Sequence, residues 1–250
     1  MSFISLQGVS RTFGSFTAVE DLSLEVEKGE FISIVGPSGC GKSTLLQMVG
    51  GLLPASKGLV RLGQRSVTAP LREAVYVFQH YNRSLFPWRT VRRNVAFGIE
   101  DTGLSRAQID RKCSEYLGLV GLNGFADHYP HQLSGGMQQR VAVARALAFG
   151  ADVLLMDEPF GSVDAQTRAG LQDLVLRLWQ EYRLTVLFVT HDIDEAIYVA
   201  QKVLVLSKAP AKIRACLANE LEYPRHQVKT KEVPQYLAQR RDIYSLVFPS

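Results

Sequence analysis

The spacing of hydrophobic and polar positions changes several times along the chain, and each change predicts an element. Between residues 3 and 26 the two kinds alternate: Leu22, Leu24 and Val26 are separated by Ser23 and Glu25. With turns near Phe13-Gly14 and Glu27-Lys28-Gly29, that period of two predicts short, half-buried antiparallel strands. Phe31-Ile32-Ser33-Ile34-Val35 is apolar almost throughout and predicts a buried strand. From Lys42 to Leu52 the apolar positions fall at helical spacing, with Leu45, Leu46 and Val49 on one face. Residues 58–63 read as another strand bounded by glycines, and Val75-Tyr76-Val77-Phe78 as a buried strand running into Gln79.

Helical spacing dominates from about residue 81 to 149. Ser105-Arg106-Ala107-Gln108 has the form of a capping box, and Ile109, Cys113, Tyr116 and Leu117 follow at helical spacing. A second helix is expected from Gly135 to Leu147. Strand character returns at residues 153–156 and 186–189, with a helix near 165–182 between them. That is a βαβ unit and implies parallel strands. Residues 203–206 are expected to close the sheet. Beyond them, Pro210, Pro224 and Pro234 leave little to assign except a last helix. The chain reads as α/β, with one main domain over 1–207, a helical subdomain inserted at about 81–149, and an extension over 208–250.

Composition narrows the class. Across 250 residues, 46% are hydrophobic and 21% charged, as in an ordinary globular protein with ample core. No run approaches the length of a membrane span. The opening MSFISLQGVSRTFG has neither a basic head nor a long apolar stretch, so no secretory signal is expected. Cys40, Cys113 and Cys216 are scattered and lack C-x-x-C spacing, which argues against a disulfide framework and a zinc site. The expectation is a cytosolic protein, with any membrane connection made through a partner. The net charge of +4 sits in the tail, where residues 208–250 carry 8 basic and 4 acidic side chains. Without interleaved aromatic residues this does not predict nucleic-acid binding. It suits a solvated face, or one near anionic lipid.

The first chemistry lies in Gly36-Pro37-Ser38-Gly39-Cys40-Gly41-Lys42-Ser43-Thr44. It fits G-x-x-x-x-G-K-[ST] between a predicted strand and a predicted helix. That context makes such a stretch a phosphate-binding loop rather than a glycine-rich turn. The glycines let backbone N–H groups point inward at a polyphosphate, and the helix N-terminus adds positive potential. Lys42 would neutralise the β- and γ-phosphates, and the Ser43 hydroxyl would ligate Mg²⁺. A nucleoside triphosphate is the expected ligand.

Asp157-Glu158-Pro159 follows a strand, at the end where α/β sheets place ligands. Asp157 would hold Mg²⁺ through its water shell, and Glu158 would orient the attacking water or take its proton. Leu133-Ser134-Gly135-Gly136-Met137-Gln138 opens a helix with free N–H groups and a hydroxyl. This is a second anion-binding N-terminus, or else a hinge. One subunit has no use for two cradles around one nucleotide, so the second is expected to close on the γ-phosphate held by another copy. His191 follows a strand and precedes Asp192 and Glu195, which suits a capping-box start as well as a phosphate contact.

GPSGCGKST, LSGGMQQR, VLLMDEP and FVTHD, in this order and spacing, resemble the nucleotide-binding subunits of ABC transporters over residues 1 to about 207. The resemblance implies a P-loop NTPase core, an N-terminal antiparallel β-subdomain and an inserted helical signature subdomain. It also implies ATP hydrolysis with Mg²⁺ by two copies arranged head to tail, coupled to integral membrane permease subunits. On this likeness Gln79 corresponds to the glutamine that touches Mg²⁺ and the attacking water and senses the membrane partner. Ser134, Gly135 and Gly136 correspond to the signature, Asp164 to an aspartate acting across subunits, and His191 to a switch histidine at the γ-phosphate. Phe13 takes the place of the aromatic that stacks on adenine, with Phe16 the other candidate and core packing the alternative for either. The implied catalytic set is Glu158, His191, Gln79 and Lys42. The implied metal set is Ser43, Gln79 and Asp157, and Gly36 to Thr44 line the nucleotide.

Two stretches depart from the common pattern: Met137 replaces a glutamine, and Gly161-Ser162-Val163-Asp164 replaces Ser-Ala-Leu-Asp. Leu85-Phe86-Pro87-Trp88-Arg89-Thr90-Val91, followed by Asn94-Val95-Ala96-Phe97-Gly98, is similar to the nitrate/sulfonate/taurine group of importers. That likeness implies a small anionic solute, an indirect solute-binding protein, and a peripheral place on the cytoplasmic face of the membrane. Arg83, Arg89, Arg92 and Arg93 lie in a segment without an acid. With Phe86 and Trp88 they are expected to receive a cytoplasmic helix of the permease, or to form a solvated basic face. Other readings are an ABC ATPase for a different solute, a non-transport ABC ATPase, and a module that binds ATP without hydrolysing it.

Overall fold

The computed structural model describes residues 2–78 and 84–248; the expectations placed on Gln79 and Arg83 lie outside the described residues. β1 (Ile4–Phe13) and β2 (Phe16–Val26) form an antiparallel hairpin, and β3 (Phe31–Val35) leads through the glycine loop into α1 (Lys42–Val49). β4 (Lys57–Leu62) and β5 (Arg65–Ser66) return to the hairpin, giving a four-stranded antiparallel sheet of order β2-β1-β4-β5. β6 (Ala74–Val77) precedes a helical stretch of α2 (Val91–Ala96), α3 (Arg106–Leu119) and α4 (Gly135–Ala148). Then come β7 (Val153–Asp157), α5 (Ala165–Tyr182), β8 (Thr185–Val189), α6 (Ile193–Val199) and β9 (Lys202–Leu206). The tail adds β10 (Ile213–Ala218), the single turn α7 (Lys229–Glu232) and α8 (Pro234–Val247).

The second sheet has six strands in the order β10-β9-β3-β8-β7-β6. All neighbours are parallel except β10 and β9. Its central strands are buried on both faces, so their apolar runs are continuous rather than alternating. Alternate side chains still go to different layers. Phe31, Leu154, Met156, Val186 and Phe188 pack with α4 and α5, while Ile32, Ile34, Leu155 and Leu187 pack with α1 and the hairpin residues Ile4, Leu6 and Val9.

The predicted elements are present, and the cap expected at Ser105 forms. Ser105 Oγ accepts from Gln108 N while Gln108 Oε1 accepts from Ser105 N, a complete capping box. Cys113 and Leu117 are buried on the inner face of α3, with Ile109 and Tyr116 packed beside them. Differences arise at edges. β6 is half-buried, because it is the edge strand, and Phe78 beyond it is exposed. α1 stops at Val49, where Gly50 and Gly51 follow. Residues 203–206 do not close the sheet: β10 pairs with β9 beyond them. Its antiparallel entry from the tail gave no βαβ signal to read.

Asn94 is fully buried and ties the 86–90 loop to α2. Its Oδ1 accepts from Phe86 N at 2.8 Å, and its Nδ2 reaches the carbonyls of Phe86, Arg89 and Thr90. Replacing it with Leu keeps the volume and strands those partners. Asn94→Leu should cost about 2–4 kcal/mol of stability. Urea unfolding should show a lower midpoint at unchanged slope.

Candidate functional site

The glycine loop joins β3 to α1 as its spacing implies. Gly41 has φ of +118°, and a Cβ there would lie 2.7 Å from the Ala18 carbonyl, so only glycine serves. Gly36 and Cys40 are buried, Pro37 is half-buried, and Ser38 and Gly39 form the exposed lip. Cys40 packs in the core, where burial pushes its thiol pKa up. Lys42 is buried, and its Nζ donates to the carbonyls of Gly36 (2.9 Å) and Pro37 (3.0 Å). Ser43, in the first turn of α1, donates to Asp157 Oδ1 at 2.9 Å, and Thr44 follows half-buried.

Strand register assembles the rest. Asp157 pairs with Val189 across β7 and β8, and Glu158 N donates to Val189 O. The chain then turns at Glu158 with φ of +43°, in the left-handed region that a non-glycine residue adopts at some cost. That turn brings the Glu158 carboxylate to His191: Oε2 lies 3.0 Å from Nδ1. Lys42, Ser43, Asp157, Glu158 and His191 therefore converge at one end of the sheet, where α/β folds place ligands.

Tyr76 belongs to this cluster, although its place in a strand pattern marked it as core. Its hydroxyl donates to Asp157 Oδ2 at 2.7 Å. Burial and the Asp157 charge push the phenol pKa well up, so Tyr76 stays protonated and remains a donor. Both carboxylate oxygens of Asp157 are thus held from within the chain.

Ser134, Gly135, Gly136 and Asp164 gather elsewhere. Ser134 caps α4, and Asp164 caps α5, with Oδ1 accepting from Thr167 N at 2.9 Å. That backbone bond holds the exposed Asp164 carboxyl below its ordinary pKa. Gly136 lies against Thr167, where a Cβ would come within 2.2 Å of the Thr167 methyl. The two predicted features therefore sit side by side at the N-termini of neighbouring helices. Met137 packs on the core, and Gln138 Nε2 bonds the carbonyls of Pro130 and Leu133.

Other placements differ from expectation. Phe13 and Phe16 face each other at the hairpin tip and are 43% and 52% exposed, so neither is core. The Arg11 guanidinium lies 4.5 Å from the Phe13 ring centroid. Asp192 caps α6 through Glu195 N, but the capping box is incomplete. Glu195 turns inward instead, accepting from Thr190 Oγ1 and Gln172 Nε2, and burial raises its carboxyl pKa. The arginine segment finds acids from outside itself: Arg89 forks onto Glu100, and Arg92 reaches Asp127.

The donors present suit nucleotide phosphates and a hard cation. Among the described residues no cluster of three His, Cys, Asp or Glu side chains could hold a metal alone. The Ser43 hydroxyl and Asp157 carboxylate are oxygen donors, the type a hard cation takes when phosphate oxygens complete its shell.

Comparison with known proteins shows the family. The family model described as ABC transporter matches residues 19–161. An ATP-binding protein of Brucella abortus is 44% identical, over 98% of this chain and 93% of that one. The aliphatic sulfonates import ATP-binding protein of Bacillus cereus is 42% identical, over 92% of this chain and 90% of its own. The nitrate import ATP-binding protein of Synechococcus elongatus is also 42% identical, over 98% of this chain and 38% of that longer one. Among solved structures, a dimeric ATP-binding cassette in a post-hydrolysis state with ADP and Pi has a TM-score of 0.76. It is 32% identical, over 86% of this chain and 98% of that one. The chain belongs to the ABC transporter family and is an ATP-hydrolysing, ATP-binding subunit of its importer group.

Proposed function

We propose that two copies of this chain close head to tail over two ATP molecules and thereby drive a membrane permease for a small anionic solute. The observation that supports the dimer is the division of the site. Lys42, Ser43, Asp157, Glu158 and His191 share one cluster, whereas Ser134–Gly136 and Asp164 cap α4 and α5. On this reading the second group completes the first group of the other copy, its N–H groups and helix dipoles meeting the γ-phosphate. Cross-linking a Ser38→Cys copy to a Ser134→Cys copy, with Cys216→Ser in both, should succeed only with ATP. Equal cross-linking without nucleotide would remove the head-to-tail arrangement.

Within each site, Lys42 neutralises the β- and γ-phosphates, and Phe13, or its hairpin partner Phe16, stacks on adenine. Glu158 takes the proton of the attacking water as the new bond to phosphorus forms, and ADP leaves with the bridging oxygen. His191 holds Glu158 through Nδ1 and faces the γ-phosphate. Electrostatic stabilisation by these fixed donors supplies most of the rate. Ser43 and Asp157, with Gln79, would hold Mg²⁺, which supplies charge neutralisation at the phosphate oxygens. Tyr76 fixes the Asp157 carboxylate for that role. Tyr76→Phe should raise the divalent-ion concentration for half-maximal binding about tenfold, since removing the partner of a ligating carboxylate commonly costs that much. Mn²⁺ titration by electron paramagnetic resonance in the presence of ATP measures the shift directly, and unchanged Mn²⁺ affinity would remove the role.

Two clefts, the first of them beside the 86–93 segment, suit the permease. One, of about 900 Å³, is lined by Trp88, Arg92, Arg93, Arg106 and Tyr129; the other, of about 450 Å³, by Leu52, Leu71, Phe78 and Phe149. A cytoplasmic helix of the permease lying across them would bury Trp88, which is 73% exposed. Such a subunit would lie peripherally at the cytoplasmic face of the membrane. A solute-binding protein would deliver a nitrate- or sulfonate-like solute to the permease. Co-expression with the permease and cross-linking through Leu52→Cys or Phe86→Cys tests the docking; absence of product at both sites would exclude it.

A further inference from the structure

Residues 219–240 surround α6, the helix that begins two residues after His191. A short helix leaves its last carbonyls without intrahelical donors. Here the tail supplies them. Asn219 Nδ2 donates to Ile197 O and Ala200 O, both at 2.7 Å. Arg225 donates to Ile197 O (2.8 Å), Tyr198 O (2.6 Å) and Ala200 O (3.0 Å), and Tyr223 Oη reaches Val199 O. Arg225 is 9% exposed, stacks on Tyr223 at 4.1 Å, and bonds carbonyl oxygens rather than a carboxylate. A buried guanidinium is costly unless a negative potential meets it, and the C-terminal end of α6 provides one. Burial lowers its pKa accordingly.

The other end of α6 is held as well. Tyr236 Oη bonds Asp194 at both its carbonyl and Oδ1 (3.0 Å each), and Arg240 Nε lies 3.1 Å from the same carboxylate. Tyr236, Ile243 and Val247 of α8 pack with Ala196 and Ile197 of α6 and with Val35, the residue before the phosphate loop. A third connection runs through side chains. Gln227 Nε2 bonds Gln172 Oε1 (3.1 Å), Gln172 Nε2 bonds Glu195 Oε1 (3.1 Å), and Glu195 Oε2 accepts from Thr190 Oγ1 (2.5 Å). Thr190 Oγ1 in turn accepts from Asp192 N, so the chain ends on both neighbours of His191.

We propose that Asn219, Arg225 and Gln227 are positioning residues of the hydrolytic site. Through α6 and the Gln172–Glu195–Thr190 chain they hold His191 against Glu158. The tail is then part of the switch rather than a solvated appendage. This rests on the assignment of His191 to the γ-phosphate, and the experiment separates the two ideas.

ATP turnover is measured per nucleotide-binding site for Gln227→Ala, Arg225→Lys, His191→Ala and the double variants with His191→Ala. Gln227 is at the protein surface end of the chain, so its truncation tests the connection without stripping the α6 carbonyls. Gln227→Ala and Arg225→Lys should lower kcat roughly three- to thirtyfold, the range for residues that couple sites through packed networks, with KM for ATP unchanged. In the His191→Ala background the same substitutions should have no further effect, because their route to the chemistry is gone. Parental kcat per site in both tail variants, or losses that persist undiminished in the His191→Ala background, would overturn the proposal. Parental turnover in His191→Ala alone would instead overturn the assignment of His191.

Discussion

Glu158→Gln should release phosphate about 10²–10⁴ times more slowly than the parent, the range attributed to a positioned general base. ATP affinity should be unchanged. Gln keeps the size and the contact to His191 Nδ1, now 3.0 Å from Oε2, but cannot take a proton. The site that closes on ATP should therefore fail to reopen, and the variant with ATP should elute as a dimer where the parent with ADP does not. Phosphate-release kinetics and size exclusion with scattering detection measure the two halves. Unimpaired turnover would refute the role of Glu158, and loss of ATP binding would make it a cradle residue. The left-handed backbone at Glu158 adds a second expectation. Because the strain is retained in Glu158→Gln, thermal stability should barely move, whereas a change in chain direction there would not be tolerated.

Lys42→Met should lose ATP affinity by roughly 30-fold or more, since removing one partner of a buried charge pair costs about 2–5 kcal/mol. Lys42 is 5% exposed and held by the Gly36 and Pro37 carbonyls, so its ammonium is desolvated and fixed before phosphate arrives. Methionine fills the volume and leaves those carbonyls without a donor, a smaller cost that falls on loop stability. Titration with a fluorescent ATP analogue should show the lost affinity while urea unfolding shifts little. Equal affinity in the variant would mean that backbone N–H groups alone hold the polyphosphate. Glu158→Gln and Lys42→Met thus separate the two parts of the site: one should bind without turning over, the other should not bind.

Much of the site was legible because its parts are local. The phosphate loop needs only its own glycines, the strand before it and the helix after it. Ser105 is a cap, read from residues within one helical turn, and α4 begins at Gly135 as expected. Tyr76 was not legible, because a tyrosine within an apolar run has the pattern of a core residue. Its bond to Asp157 depends on β6 lying beside β7. The inward turn of Glu195 was missed for a related reason: the sequence pattern offered a local cap, and burial beside Gln172 and Thr190 offered better partners.

By itself the sequence determined the α/β class, the nucleotide ligand and most of the order of the strands and helices along the chain. Each of these depends on periodicity, caps or contiguous motifs, whose physics acts over a few residues. Only the tertiary structure decided which groups meet. The parallel register of Asp157 with Val189 places Glu158 beside His191, 33 residues away. The antiparallel return of β10 and the packing of α8 bring the tail around α6. No local rule specifies those distances, because they follow from how buried faces stack and from where buried polar groups find partners.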